Sequence, residues 1–197
     1  RAGPGAGGVT KPDFVDLGGT LVFSAVTRSL QTAPQLPEAG IVTLNHDFVR
    51  QLFTSSKGTS ISTPLLARKA GLLLQRFPDA SANLIRALLV GAAAIPEETS
   101  VRLRAMDAKE TASVVGNGIV DPLKGAYSDD HRVVYYAEDI LDIDKFAIYR
   151  VPIPAEFQTG GKRTIRVSLA YDPPVRRTRA VYLGTKMDFR LIRGCPV

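Results

Sequence analysis

The hydrophobic pattern changes character twice along the chain. Residues 1–19, RAGPGAGGVTKPDFVDLGG, are punctuated by Gly and Pro and read as loop, with at most a short strand near Phe14–Val15. Thr20–Val26 (TLVFSAV) is a β-branched and aromatic run that predicts a buried strand. Residues 28–40 are polar, carry Pro34 and Pro37, and predict an exposed loop. Gly40–Leu44 and Asp47–Thr54 predict two strands around a turn at Asn45–His46. A helix follows Ser60, with Leu65, Leu66, Ala67, Ala70, Leu72, Leu73, Leu74 and Phe77 covering most of its circumference. So apolar a helix is expected to be buried in mid-domain, with Pro64 in a tolerant early position and Pro78 ending it. Asp79 or Ser81 then caps a second helix over 82–94, whose Leu84, Ile85, Leu88, Leu89 and Ala92 lie on one face. Pro96–Arg104 reads as a connection, Asp107 as the cap of a short helix through Ser113, and Gly116–Ala126 as a Gly-rich turn running into a short turn or helix.

From Arg132 the period shortens. RVVYYAEDI, KFAIYRVPI, RTIRVSLAYD and RAVYLGTKMDFRLI are strand-like runs separated by Pro, Gly and Asp. The change near 127–131 predicts an α/β part over 1–130 and an all-β part over 131–197.

The chain has 197 residues, of which 45% are hydrophobic, enough for a true core. No run of about 18 apolar residues is present, so no membrane span is expected. A single cysteine, Cys195, excludes a disulfide within the chain and is compatible with the cytosol without proving it, which leaves the compartment open. The opening RAGPGAGG, without Met or a signal peptide, suggests a start inside a longer polypeptide. Residues 1–150 carry 16 basic and 16 acidic side chains, so the net charge of +6 resides in residues 151–197, with 9 basic and 3 acidic. No nucleic-acid motif accompanies that excess. It reads as a solvated strand face, or as a surface (Lys162, Arg163, Arg166, Arg176, Arg177, Arg179) that docks on the first part of the chain or recruits an acidic substrate.

One stretch carries chemistry. In KGTSISTPLLARKAG, Ser60 stands at the mouth of the apolar helix. First-turn N–H groups are unpaired, and with the helix dipole they favour negative charge at that end. A serine attacking a carbonyl creates such a charge, so Ser60 there is both nucleophile and part of its own oxyanion site. Gly58 lets the backbone turn sharply and a substrate chain approach. The alternative reading is that these hydroxyls only cap the helix. Other clusters point less clearly. Asp129–Asp130 and Asp139, Asp142 and Asp144 match no metal loop and read as solvated turns, and Cys195 has no base beside it. No metal or cofactor is therefore expected.

GTSISTPLLA resembles the nucleophile motif of the subtilisin-like serine proteases: Gly58, Thr59, Ser60, Ser62, Pro64 and Ala67 match, and Arg68 departs where the family has a small residue. The opening segment is similar to the family's Gly-Pro turn and Lys-Pro-Asp block through Gly3, Pro4, Lys11, Pro12, Asp13 and Gly18, with Leu17 in place of the usual Pro. FPDASANLIRALLVGAA resembles the helix after the nucleophile helix, and GNGIVD (116–121) resembles the turn that closes the fold. These blocks occur in family order over about residues 1–126, with an inserted loop expected around 28–40.

The resemblance implies the C-terminal part of a parallel-sheet α/β domain with a buried nucleophile helix, followed by a small antiparallel, jelly-roll-like β-sandwich. It implies a serine endopeptidase acting on polypeptides through Ser60, with Gly58, Thr59 and Pro64 as motif support. A serine nucleophile needs a base and an orienting carboxylate. In this family both precede the serine by well over 100 residues, whereas only 59 residues precede Ser60. His46 and His131 do not occupy the base position, and Asn45, Asn83 and Asn117 do not occupy that of the oxyanion Asn. An N-terminal segment carrying Asp, His and Asn is the implied partner, and the chain alone is expected to be inactive. The competing reading is a non-catalytic interaction module on a degenerate scaffold of the same family.

Overall fold

The computed structural model describes residues 3, 5, 9–158, 160–174 and 184–192. Two antiparallel hairpins come first. β1 (Val22–Ser24) pairs with β2 (Ser29–Gln31), and β3 (Ile41–Leu44) pairs with β4 (Phe53–Ser56) in the register Ile41↔Ser56 to Leu44↔Phe53. Two helices follow, α1 (Thr59–Arg76) and α2 (Ala82–Ala92). Then come β5 (Ala93–Ala94), α3 (Glu97–Arg102), α4 (Ala108–Val115), β6 (Ile119–Val120) and α5 (Pro122–Ala126).

α2 is the centre of the core. Leu84, Ile85, Leu88, Leu89 and Ala92 pack with Leu73 of α1 and with Ala93 and Val120. The Ser81 hydroxyl accepts from the Leu84 N–H at 3.1 Å, giving the expected cap. α5 lies across α2 and α1 because Gly125 has no side chain. A Cβ there would stand 3.2 Å from the Ala92 methyl and 3.3 Å from Leu73 Cδ2. α4 begins on a reciprocal capping box between Asp107 and Glu110. The GNG turn then docks on the Lys-Pro-Asp block. The Asn117 amides of backbone and side chain both donate to the Asp13 carbonyl, at 2.9 and 3.0 Å, and the Val15 N–H donates to the Gly118 carbonyl. Gly116, at φ +58°, has no room for a Cβ, which would lie 2.2 Å from the Pro12 carbonyl oxygen. Two blocks far apart in sequence are thus one structural unit.

Several expectations need correction. The strands among the described residues form three antiparallel pairs and no parallel sheet. Thr20–Val26 is not a buried strand: its central residues form half of an exposed hairpin, with Phe23 63% accessible. Its partner β2 falls in the stretch read as loop, where a 3-10 turn also spans Pro37–Ala39. α1 is not buried. Leu73 alone of its side chains is fully enclosed, because α2 and α5 cover one side of a helix whose apolar residues run round most of it. The connection at 96–104 contains α3. Beyond α5, the described residues form no strand pair apart from the single bridge Asp129↔Arg132. The strand-like runs expected there form no ladder among the described residues, because a ladder exists only where two strands exchange hydrogen bonds.

Candidate active site

The site is built where β4 passes through Lys57 and Gly58 into α1. Gly58 caps the helix with φ +130° and ψ 168°, a backbone conformation open to glycine. A Cβ there would meet little, since its nearest neighbour is 4.0 Å away, so backbone conformation and not crowding requires this glycine. Its N–H donates to the Gly18 carbonyl at 2.7 Å. Gly18 meets the helix closely in turn: a Cβ on it would lie 2.6 Å from Ser62 Oγ and 3.1 Å from the Gly58 carbonyl oxygen. Ser62 Oγ stands within hydrogen-bonding distance of the carbonyls of Leu17, at 3.1 Å, and Asp16, at 3.3 Å. Lys69, two turns along, forms an ion pair of 2.6 Å with the Asp16 carboxylate, with side-chain exposures of 17% and 7%. Residues 16–18 are therefore a brace across the start of α1.

Ser60, the second residue of α1, is exposed and makes no side-chain hydrogen bond. The first amide to find an acceptor at this end is that of Ile61, which donates to the Gly58 carbonyl at 3.0 Å. The N–H groups of Thr59 and Ser60 stay open, as donors at a helix start do unless capped. The capping alternative for these hydroxyls fails, because no side chain bonds to the first-turn amides. The Thr63 hydroxyl instead donates back to the Thr59 carbonyl at 2.9 Å. Pro64 is the sixth residue of α1 and not a first-turn proline, so it has no N–H for the Ser60 carbonyl. The turn around Ser60 therefore lacks one of the usual helical bonds.

No base stands beside Ser60. The β3–β4 register sends the hairpin away from Gly58, and His46 lies in the turn at its other end. At about 3.3 Å per strand residue this separates the two by more than 10 Å. His131 is exposed in the turn after α5 and donates its backbone N–H to Asp129. Each asparagine has local work elsewhere. Asn45 holds the Asp47 amide, Asn83 bonds Asp172, and Asn117 bonds Asp13. Arg68 is exposed. A hollow of about 210 Å³ at the other end of α1 is lined by Arg76, Phe77, Tyr127 and Tyr136, and one of about 370 Å³ lies between Ala94, Asn117 and Arg166. Neither includes Ser60. Among the described residues no three His, Cys, Asp or Glu side chains converge as a metal site, and Asp139 accepts from the Tyr149 hydroxyl. No helix among them is long and apolar enough to cross a membrane. Pro4, Arg176, Arg177, Arg179 and Cys195 lie outside the described residues.

Sequence reasoning missed Asp16 and Lys69. A signal existed: α1 contains no acidic residue, so a lysine on it must find its counter-ion on another segment.

The model of the subtilase family matches residues 1–125. An uncharacterised protein, y4bN, of Sinorhizobium fredii is 53% identical over 196 residues, which are 99% of this chain and 46% of the relative. The chain thus spans just under half the length of that relative. No solved structure matches. With the family model covering the hairpins, α1, α2 and the turn at 116–121, the chain belongs to the subtilase family.

Proposed function

We propose that the chain is the nucleophile-bearing part of a subtilisin-like serine endopeptidase. Ser60 attacks the scissile carbonyl of a polypeptide, and a histidine base, its orienting aspartate and an oxyanion asparagine come from a preceding segment outside this chain. The observation that carries the proposal is the state of Ser60: an exposed, unpartnered hydroxyl between open amides at the start of an 18-residue helix. Gly58, Thr59 and Pro64 support it by shaping that opening. The brace from Asp16 to Gly18 holds the helix start in place while leaving Ser60 untouched.

A hydroxyl with no base is an ordinary alcohol at neutral pH. Losing triad members costs roughly 10⁴–10⁶ in rate in subtilisin itself, so the 197-residue chain alone is inactive in this reading. Exposed Leu72 and Leu74 on α1, and Val42, Leu44 and Phe53 on the second hairpin, suit a surface that the preceding segment covers. The extended runs after residue 130 belong, in the same proposal, to a β-sandwich module completed by further strands. The test is peptide hydrolysis by the protein with and without the preceding segment. Turnover appears only with that segment and is lost in Ser60→Ala. Turnover by the chain alone, or turnover that survives Ser60→Ala, overturns the proposal. A well-folded protein that includes the segment yet has no turnover favours a non-catalytic module on the same scaffold.

A further inference from the structure

Residues 132–174 touch α2 at both ends, with opposite charge at each. At its start, the Ser81 N–H donates to the Glu138 carboxylate at 3.3 Å. In the first turns, the Asp172 carboxylate accepts from Asn83 Nδ2 and from Arg86, each at 3.0 Å. At its end, the Arg166 guanidinium donates to the Gly91 carbonyl at 3.3 Å and to the Ala93 carbonyl. A helix carries partial positive charge at its N-terminus and partial negative charge at its C-terminus. The signs therefore match: carboxylates at the positive end, a guanidinium at the negative end.

The pattern within RTIRVSLAYD shows how the sequence achieves this. Arg166, Ser168 and Asp172 share a parity, and in an extended chain that places them on one face. The contacts put that face on α2. A Cβ on Gly91 would sit 3.5 Å from Ser168 Oγ, an ordinary contact distance, and this hydroxyl is enclosed without a partner. The opposite face bears Ile165, Val167 and Leu169, which are 43–45% exposed. The segment runs antiparallel to α2, with the side bearing Arg166, Ser168 and Asp172 in contact with it.

We propose that Glu138, Arg166 and Asp172 form a polarity-matched clasp on α2, with Arg166 as its principal cation. Through α2, which packs on Leu73 of α1, the clasp positions the helix that carries Ser60. That second step rests on the reading of Ser60 as nucleophile; the clasp itself does not. Arg166 is expected to matter most, because its bond to the Ala93 carbonyl is partly buried whereas the Arg86–Asp172 pair is 61% and 71% exposed.

The experiment is thermal unfolding and amide hydrogen exchange on the full chain. Arg166→Ala lowers the melting temperature by about 2–4 °C and speeds exchange at the last turn of α2 several-fold, with Leu84–Ile85 less affected. Arg166→Lys restores most of the protection by keeping the charge, and Asp172→Asn gives a smaller shift confined to the first turn. Raising salt to about 1 M weakens the protection of the first turn of α2 in the unmutated chain, where the Glu138 and Asp172 contacts are exposed, because the Debye length falls to about 3 Å; this measurement needs no variant to fold. The clasp is refuted if Arg166→Ala exchanges and melts like the parent, if Arg166→Lys is no better than Arg166→Ala, or if salt leaves the first turn of α2 unmoved. Because Ser60 enters none of these readouts, they can fail while the protease reading stands, and the reverse. The coupling between the two is tested separately, by a slower reaction of Ser60 with a fluorophosphonate in Arg166→Ala of the protein that includes the preceding segment.

Discussion

α1 and α2 are consecutive, both rich in apolar residues, and buried to very different degrees. α2 encloses Leu84, Ile85, Leu88, Leu89 and Ala92, while α1 encloses Leu73 alone and leaves Leu72 and Leu74 37% and 44% exposed. Their ends differ in the same sense. α2 starts on a serine whose side chain satisfies a first-turn amide, whereas α1 starts on Gly58 with no side-chain cap. One helix is finished by this chain's own residues. The other keeps a side and an end free, and Ser60 stands at that free end. Burial and capping thus distinguish two consecutive helices that both carry many apolar residues.

Substitutions sharpen the contrast in graded fashion. Leu73→Ala, at the one fully enclosed side chain of α1, is expected to cost about 2–5 kcal/mol, read as a lower urea midpoint with unchanged slope. Lys69→Met leaves the Asp16 carboxylate nearly enclosed and unpaired. Its cost is expected at about 2–3 kcal/mol, just below that of breaking a fully buried pair, and a double-mutant cycle with Asp16→Asn should recover much of it. Ser81→Ala removes the cap of α2 and is expected to cost about 1 kcal/mol in the same denaturation assay. Leu72→Ser on the open side of α1 should shift the stability of this chain by less than about 0.5 kcal/mol. In the protein that includes the preceding segment it should cost more. Equal effects in both settings would mean that nothing covers that side.

The sequence was most legible where local chemistry decides the outcome. Ser81 and Asp107 cap their helices as side chains that satisfy first-turn amides, and the α2 face follows from the 3.6-residue period. Around Ser60 the sharp turn expected at Gly58 is present, at φ +130°, whereas Pro64 lies past the first turn. What the sequence hid depends on distant partners. The apolar run of α1 reads as buried whether its cover lies in this chain or in another segment. Thr20–Val26 has strand composition, but its burial depends on what packs on it, and here it forms an exposed hairpin. The Asp16–Lys69 pair links residues 53 apart, and such links have no periodic signature. In the runs after residue 132 the period-2 pattern predicts strands, but among the described residues these runs form no ladder, and the pattern cannot say which side meets α2; between 166 and 172 the side bearing Arg166, Ser168 and Asp172 does.

The central claim is that Ser60 is a nucleophile awaiting a base from another segment. It is tested most directly by treating the protein that includes the preceding segment with a fluorophosphonate and mapping the adduct by peptide mass spectrometry. One adduct is expected, on Ser60, absent from Ser60→Ala and absent when this chain is treated alone. A folded protein that takes no label, or takes it on another residue, would contradict it.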